Sequence, residues 1–545
     1  MKPERLTNLL PSWKNALLAV LAAVLLILAF PDFDLWFLAW FALVPLLWAI
    51  ERERERGHSC RNADTLARNE HEVRKGLRTL RVRCGQECPR SFVLGWIFGV
   101  VFFSGTCWWL TFAPITYAGF PPLLAYFLLF CVTAVAAIVP GLFAGTLSIF
   151  LRRFGSWAFL LAPFVWVFTE FLRYWLTGNN WNALGYSQAF STILPAFARG
   201  GGVLLVGFAI AAMNAAAALV LLKRNWLSGV VALAVWLLIP PAAILTGVDN
   251  SGTSDPEPVA NVIAVQSNVP MSGMTEAKWN EYRRNHVRLA ESALATLPAG
   301  NQLPTTVVFP ESPMNFAYEQ DPDAQAFING FAMKNNVFVL FNSAEPDLKN
   351  GKYYNSAVMV SPEGKEVAQY DKIYLLPFGE AVPFPLDGLL PGFVGNFSYG
   401  GEYDLFPLGD AKAGVMICFE SHFGQLSREY VRNGADVIIE MTNDGYLGPT
   451  PVLRQHLANA VFRAVETNRP VLRVTNVGIT AYVAPNGQVL DAADTYTEAT
   501  RVWSVAKSDG TETFYVKYGD WFAWLCTIMT VGLLIWAAMR KPARK

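Results

Sequence analysis

What most constrains this chain is where its apolar residues lie. Eight apolar stretches, at about 13–30, 35–50, 91–112, 122–150, 156–176, 202–222, 226–246 and 520–538, approach or exceed the roughly 20 residues that a helix needs to cross a bilayer. Between the last two, residues of about 256–508 have ordinary globular composition and can bury a core of their own. The pattern predicts an α-helical membrane bundle of eight transmembrane helices, interrupted by one large water-soluble domain. The 53% apolar content fits that division. Net charge is zero, so nothing electrostatic points to nucleic acid.

Basic residues set the expected orientation. Lys2, Arg5 and Lys14 precede or open the first stretch. A dense set from Arg52 to Arg90 follows the second, Arg152 and Arg153 the fourth, Lys223 and Arg224 the sixth, and Arg540, Lys541, Arg544 and Lys545 the eighth. In an eight-span count every cluster falls on one side. Both termini are then cytoplasmic and the inserted domain is exported. The predicted organisation is a bundle over 1–250, a soluble domain over 256–508, and a final span with its basic tail over 515–545. The first stretch lacks a small-residue cleavage site and is followed by further spans, so it reads as a span rather than a secretion signal.

Two polar segments stand out. The loop 51–90 opens ERERER and holds His58, Cys60, His71, Cys84 and Cys88, whose spacing matches no standard zinc pattern. It reads as a solvated cytoplasmic loop. Segment 170–188 contains Glu170, Arg173, Asn179, Asn180, Trp181, Asn182 and Gln188 among aromatics. Glu170 and Arg173 are three apart and are placed to pair on one helix. The segment could instead face polar lipid heads.

In the soluble domain, short apolar strands alternate with helices. NVIAVQ (261–266), TTVVFPE (305–311), VFVLFN (337–342), YNSAVMVS (354–361), GVMIC, ADVIIEMTN, VLRVTN (471–476) and ITAYVAP (479–485) read as strands. Residues 276–296, 323–336 and 453–468 read as helices. The alternation predicts an α/β sandwich with largely buried sheets. No Gly-rich phosphate loop or dinucleotide fingerprint appears, and no cofactor or metal is expected.

Three strand ends carry reactive groups. Cys418 follows Val415–Met416–Ile417 and is the only cysteine of 256–508. Glu311 follows an apolar strand and Pro310. Lys372 closes AQYDK, with Glu380 a few residues on. Each has a plain alternative: a buried core thiol, a helix cap, a solvated or paired lysine. An unpaired thiol in an exported domain favours reactivity.

Together these residues resemble the nitrilase superfamily, whose Glu-Lys-Cys triad occurs in this chain order. The surrounding words FPES, DKIYLLPFGEAVPF, GVMICFES, TNDGYLG, QHLANAVFRAVETNRP and RVTNVGITAYVAPNG carry the resemblance. A nitrilase-type domain placed before the last of eight spans is similar to the apolipoprotein N-acyltransferase family. The resemblance implies an inserted nitrilase-like α-β-β-α sandwich, with Glu311 as base, Lys372 as oxyanion stabiliser and Cys418 as nucleophile. Glu380 and Glu420 are implied as supports. Phe419 stands where relatives commonly have tyrosine. Trp279 corresponds to the family's tryptophan in the first helix region, although Met271 to Lys278 is longer than usual, and Tyr446 lies where a tryptophan is common. Both are implied substrate contacts.

The implied reaction moves an acyl chain from a membrane phospholipid, at sn-1 of phosphatidylethanolamine, through a Cys418 thioester to the amine of a diacylglyceryl-cysteine apolipoprotein. The implied setting is a monomer in the inner membrane with its catalytic domain in the periplasm. A membrane-tethered amidase acting on small amides, and a non-catalytic transporter or scaffold, are the competing readings.

Overall fold

The computed structural model describes residues 10–67, 87–178, 180–192, 194–223, 226–227, 229–230, 257–312, 316–377, 379–382 and 397–539. The chain forms two compact units, Met1–Ile244 with Asp520–Lys545, and Leu245–Gly519.

The first unit is built from helices. The longer ones are Trp13–Ala29, Val44–Ala67, Glu87–Thr106, Pro122–Ala136, Ile138–Phe154, Ala162–Thr177, Ala198–Lys223 and Trp521–Met539. Among the described residues four segments are long and apolar enough to cross a membrane: Pro89–Thr106, Pro122–Thr177, Leu194–Lys223 and Trp521–Met539. Trp13–Ala29 is apolar but shorter. On Pro122–Ala136, Leu123, Tyr126, Phe127, Phe130 and Val135 are exposed, while Ala125, Leu129 and Thr133 are buried. An apolar surface turned outward suits lipid, because the helix satisfies its backbone groups internally.

The expectation of eight separate spans is met only in part. Stretch 35–50 is not one helix. It comprises a 3-10 turn at Trp36–Leu38, a single turn at Ala39–Ala42 and the start of Val44–Ala67, which continues into the region read as a loop. The fourth and fifth stretches lie in Pro122–Thr177, which is interrupted by the 3-10 turn Gly155–Leu161. Stretch 226–246 lies outside the described residues beyond its first turn. Among the described residues Glu170 and Arg173 close no ion pair with each other. Glu170 Oε1 accepts the Leu184 N–H at 2.8 Å, and Arg173 Nη2 donates to Asn180 Oδ1 at 3.0 Å.

The second unit holds two six-stranded sheets. The first comprises β1 (Pro258–Gln266), β2 (Thr305–Val308), β3 (Phe338–Asp347), β4 (Lys352–Val360), β5 (Glu366–Asp371) and β12 (Ala499–Ala506), in the order β12-β1-β2-β3-β4-β5. The second comprises β6 (Leu405–Leu408), β7 (Ala411–Ile417), β8 (Val437–Thr442), β9 (Val471–Thr475), β10 (Ala481–Val483) and β11 (Val489–Leu490), in the order β11-β10-β9-β8-β7-β6. Strands β1, β2 and β3 run parallel, as do β7, β8 and β9, and the flanking strands run antiparallel.

Central parallel strands are buried on both faces, and their sequences are accordingly continuous apolar runs. Helices Glu276–Leu294 and Pro322–Asn335 pack Leu289, Ala290, Ile328 and Phe331 on Ile263, Val307 and Val339 of the first sheet. Helices Gly424–Arg432 and Val452–Thr467 pack on the second. The sheets meet where β1 runs beside β9, with the Asn268 N–H donating to Asn476 O at 3.0 Å. The layering is α-β-β-α.

Gly414, within β7, is a close-approach position. A Cβ there would lie 2.4 Å from Tyr430 Cγ, while the Tyr430 hydroxyl donates to Val415 O at 2.6 Å. Tyr430 is fully buried and has no room to retreat. Gly414→Ala is therefore expected to destabilise this unit by about 1–3 kcal/mol through overpacking. A lowered thermal midpoint of the full chain in detergent checks this, and an unchanged midpoint contradicts it.

Candidate active site

Parallel strands deliver their carboxyl ends to one rim of a sheet, and residues just beyond them share a crevice. Glu311 follows β2 through Phe309 and Pro310, and Cys418 follows β7 directly. Lys372 follows the antiparallel edge strand β5, and its N–H is tied to Asn355 O at 2.9 Å. The three candidates converge. Lys372 Nζ lies 3.5 Å from Glu311 Oε1 and 2.8 Å from Glu380 Oε1. The Cys418 thiol lies near enough to the Glu311 carboxylate and the Lys372 ammonium for both charges to act on it. Lys372 is 1% exposed and Glu311 6%, whereas Cys418 is partly exposed.

Asn355, which the sequence reading did not single out, joins the two acids. Its Nδ2 donates to Glu311 Oε1 at 3.1 Å and to Glu380 Oε1 at 2.6 Å. The Asn443 N–H donates to Glu311 Oε2 at 3.1 Å, and the Leu376 N–H to Glu380 Oε2 at 2.7 Å. Burial raises the Glu311 carboxyl above its ordinary pKa despite the Lys372 charge, and the Glu380 charge adds to the rise. Burial opposes the Lys372 ammonium, but Glu380 and Glu311 outweigh it and hold its pKa above the usual lysine value. Burial also works against the Glu380 carboxylate, yet Lys372 and its hydrogen bonds keep its pKa low. Burial and the Glu311 charge push the Cys418 thiol well above its ordinary value. The resting cleft thus pairs a neutral thiol with a carboxylate of strengthened basicity beside a fixed cation.

Cys418 has φ +53°, a left-handed conformation that non-glycine residues rarely adopt. It places the thiol at a sharp turn from β7 into the 3-10 helix Cys418–His422. Glu420, 0% exposed, braces that turn. Its Oε2 accepts the Ile417 N–H at 2.9 Å. Its Oε1 accepts the Tyr370 hydroxyl at 2.7 Å, the Ile373 N–H at 2.8 Å and the Tyr374 N–H at 3.0 Å. One carboxylate therefore ties the turn at Cys418 to the segment after Lys372.

The aromatic candidates are placed less centrally. Phe419 is buried and stacks on His422 with centroids 5.6 Å apart, its edge toward Phe423 at 5.3 Å. Trp279 sits half-buried in the first turn of Glu276–Leu294. It has no hydrogen bond or ring contact to the three central residues among the described residues. Tyr446 is exposed on the 3-10 turn Asp444–Leu447 after β8. A further charged group escaped the sequence reading: Asp444, His456, Arg473 and Glu440, all buried behind Cys418. Its only signal was ionisable residues inside apolar words such as VIIEMTND and VLRVTN.

The sheets and this crevice define a carbon-nitrogen hydrolase-type domain, and the Carbon-nitrogen hydrolase family model matches residues 278–514. The model for the Apolipoprotein N-acyltransferase N-terminal domain matches residues 22–63 and 78–216. The apolipoprotein N-acyltransferase of Geobacter metallireducens is 30% identical over 546 residues, covering 97% of this chain and 96% of its own length. That of Thermotoga maritima is 28% identical over 537 residues, covering 96% and 94%. Among solved structures, Saccharomyces cerevisiae Nit3, a member of branch 10 of the nitrilase superfamily, aligns at 18% identity with TM-score 0.37, over 49% of this chain and 97% of its own. The chain belongs to the apolipoprotein N-acyltransferase family, and with its apolar helices it is a membrane protein.

Burial raises the Glu420 carboxyl to about 7, against the pull of Lys372 and of the donors it accepts. Above that pH the ionised group accepts all four bonds. Below it, a proton turns one acceptor into a donor facing donors. Turnover is expected to fall as pH drops through about 7. Glu420→Gln, which resembles the protonated form, should be slower above about pH 7 and lack that acid limb. A pH–rate profile of the two proteins checks this, and an identical limb in the variant contradicts it.

Proposed function

We propose that this protein is an acyltransferase that completes lipoprotein maturation. It takes an acyl chain from sn-1 of a membrane phospholipid, phosphatidylethanolamine, and passes it through a Cys418 thioester to the free α-amine of a diacylglyceryl-cysteine apolipoprotein. The observation that carries this reading is the convergence of Glu311, Lys372 and Cys418 in one crevice of a chain that also has membrane-length apolar helices.

Cys418 Sγ attacks the ester carbonyl carbon while its proton passes to Glu311. A neutral thiol is a weak nucleophile, so this transfer is what activates it. Raised basicity in Glu311 narrows the gap to the thiol and eases the transfer. Negative charge on the former carbonyl oxygen is met by the Lys372 ammonium and the backbone N–H after Cys418. The intermediate collapses by breaking the ester C–O bond. Glu311 returns the proton to the departing glycerol oxygen, and a lysophospholipid leaves. In the second half, the neutral amine attacks the thioester and loses a proton to Glu311. The C–S bond breaks, the thiolate regains that proton, and an N-acylated lipoprotein departs. Loss of one oxyanion donor typically slows such chemistry by about 10²–10³-fold.

Both substrates are lipid-anchored, so a membrane-held enzyme confines their search and orients them. An apolar setting also protects the thioester from water. In this reading the helical part, 1–250 and 515–545, spans the inner membrane eight times. Domain 256–508 lies in the periplasm, both termini are cytoplasmic, and the protein acts as a monomer.

Intact-mass analysis tests the reaction. Incubation with phosphatidylethanolamine should add one acyl mass to the protein at Cys418, and a diacylated lipopeptide should remove it. Cys418→Ser should acquire no labile acyl group that the lipopeptide can discharge. Rapid hydrolysis of small amides with no acyl mass from phospholipid would overturn the proposal in favour of a tethered amidase.

A further inference from the structure

A left-handed nucleophile persists only where its surroundings hold it, since such a conformation is disfavoured for a non-glycine residue. Glu420 holds the N–H side of the turn, at Ile417. The carbonyl side is held by one helix, Val452–Thr467. His456 Nε2 lies 3.1 Å from Cys418 O. Seven residues on, Arg463 Nη1 donates to Ser421 O at 3.1 Å and His422 O at 3.0 Å. Residues seven apart lie on one helix face, two turns from each other. The helix thus meets the carbonyls of the turn at both ends.

His456 is itself steered. Its Nδ1 lies 2.7 Å from Asp444 Oδ1, and its Nε2 is also 3.3 Å from Glu440 Oε1. The Cys418 carbonyl is an acceptor, so the ring serves it by donating from Nε2. Arg473 Nη2 donates to Asp444 Oδ2 at 2.9 Å, and Nη1 bonds Glu440. Glu440 and Arg473 are register partners on β8 and β9. The ring is therefore anchored to the middle of the second sheet, and its Nε2 edge meets the backbone of Cys418.

We propose that His456 is a positioning residue for Cys418. Oriented by Asp444, it clamps the Cys418 carbonyl and so keeps the thiol aimed at Glu311. It touches neither the thiol nor the substrate in this role. Without the clamp the turn relaxes toward ordinary backbone angles and the thiol swings from its base. Misplacement of a reacting group by about 1 Å can slow a reaction about 10²-fold.

The test uses the full chain in detergent with two readouts. One is alkylation of the Cys418-containing peptide by iodoacetamide, which needs no lipid and so does not rest on the acyltransferase reading. The other, which does rest on it, is kcat and KM for thioester formation. His456→Ala should slow both by about 10–10²-fold, with KM for phospholipid and the thermal midpoint near wild type. His456→Gln, whose amide can still donate to the carbonyl, should recover most of the loss. Alkylation and thioester formation at wild-type rates in His456→Ala overturn the proposal, as does a Gln variant no faster than the Ala variant. Should His456→Ala fail to fold, Asp444→Asn and His456→Gln carry the test. The proposal requires Asp444→Asn to slow alkylation more than His456→Gln does, and the reverse order overturns it. A wild-type protein that is alkylated but takes no acyl chain sinks the acyltransferase reading and leaves the clamp to be judged by alkylation.

Discussion

The crevice between the strand ends depends on a buried cation. Lys372 is almost completely enclosed, and an isolated ammonium there would be strongly disfavoured. Two carboxylates remove that penalty, Glu380 at 2.8 Å and Glu311 at 3.5 Å, and Asn355 bridges them. The arrangement is asymmetric, and the asymmetry is useful. Glu380 is the closer partner and its pKa is held low, so it remains the permanent counter-ion. Glu311 is farther and its pKa is raised, which suits the proposed role of taking and returning a proton. Two acids beside one ammonium are thereby pushed toward different tasks.

The fold serves this triplet by bringing strand ends together. Glu311 comes from the first sheet, Cys418 from the second, and Asn443, which donates to Glu311, from the end of β8. Face-to-face packing of the sheets is what makes these ends neighbours. Cys418 then needs only a turn to point its sulfur into the crevice, and its positive φ supplies that turn. Glu420 and the helix carrying His456 and Arg463 hold it from opposite sides. The strain is local, and the restraint on its carbonyl side comes from a helix residue 38 positions away in sequence.

That separation explains what could be read from the sequence. Glu311, Lys372 and Cys418 were legible because each follows a recognisable strand or strand-like run and sits in a distinctive word. Asn355 was not, since its role arises only when β4 lies beside β5 and faces the end of β2. Glu440 and Arg473 look like stray charges inside apolar strands, and only the register of β8 against β9 reveals them as partners. The α/β layering followed from alternating elements, yet the edge strands β6, β11 and β12 were missed, being short or mixed in composition. Among the helices, 35–50 was read as one span because hydropathy does not register the break between Trp36–Leu38 and Val44–Ala67. Trp279, assigned by resemblance, lies in a helix turn without a bond to the central residues among the described residues.

The central claim is that Cys418 rests as a neutral thiol and is activated by Glu311 only as it attacks. The most direct measurement is the rate of Cys418 alkylation by iodoacetamide as a function of pH, resolved at the Cys418 peptide. Burial and the Glu311 charge predict a rate still rising beyond about pH 9, with no plateau near neutrality. A plateau reached below about pH 7 would mean a preformed thiolate, with Lys372 rather than Glu311 setting the state of the sulfur, and would contradict the account.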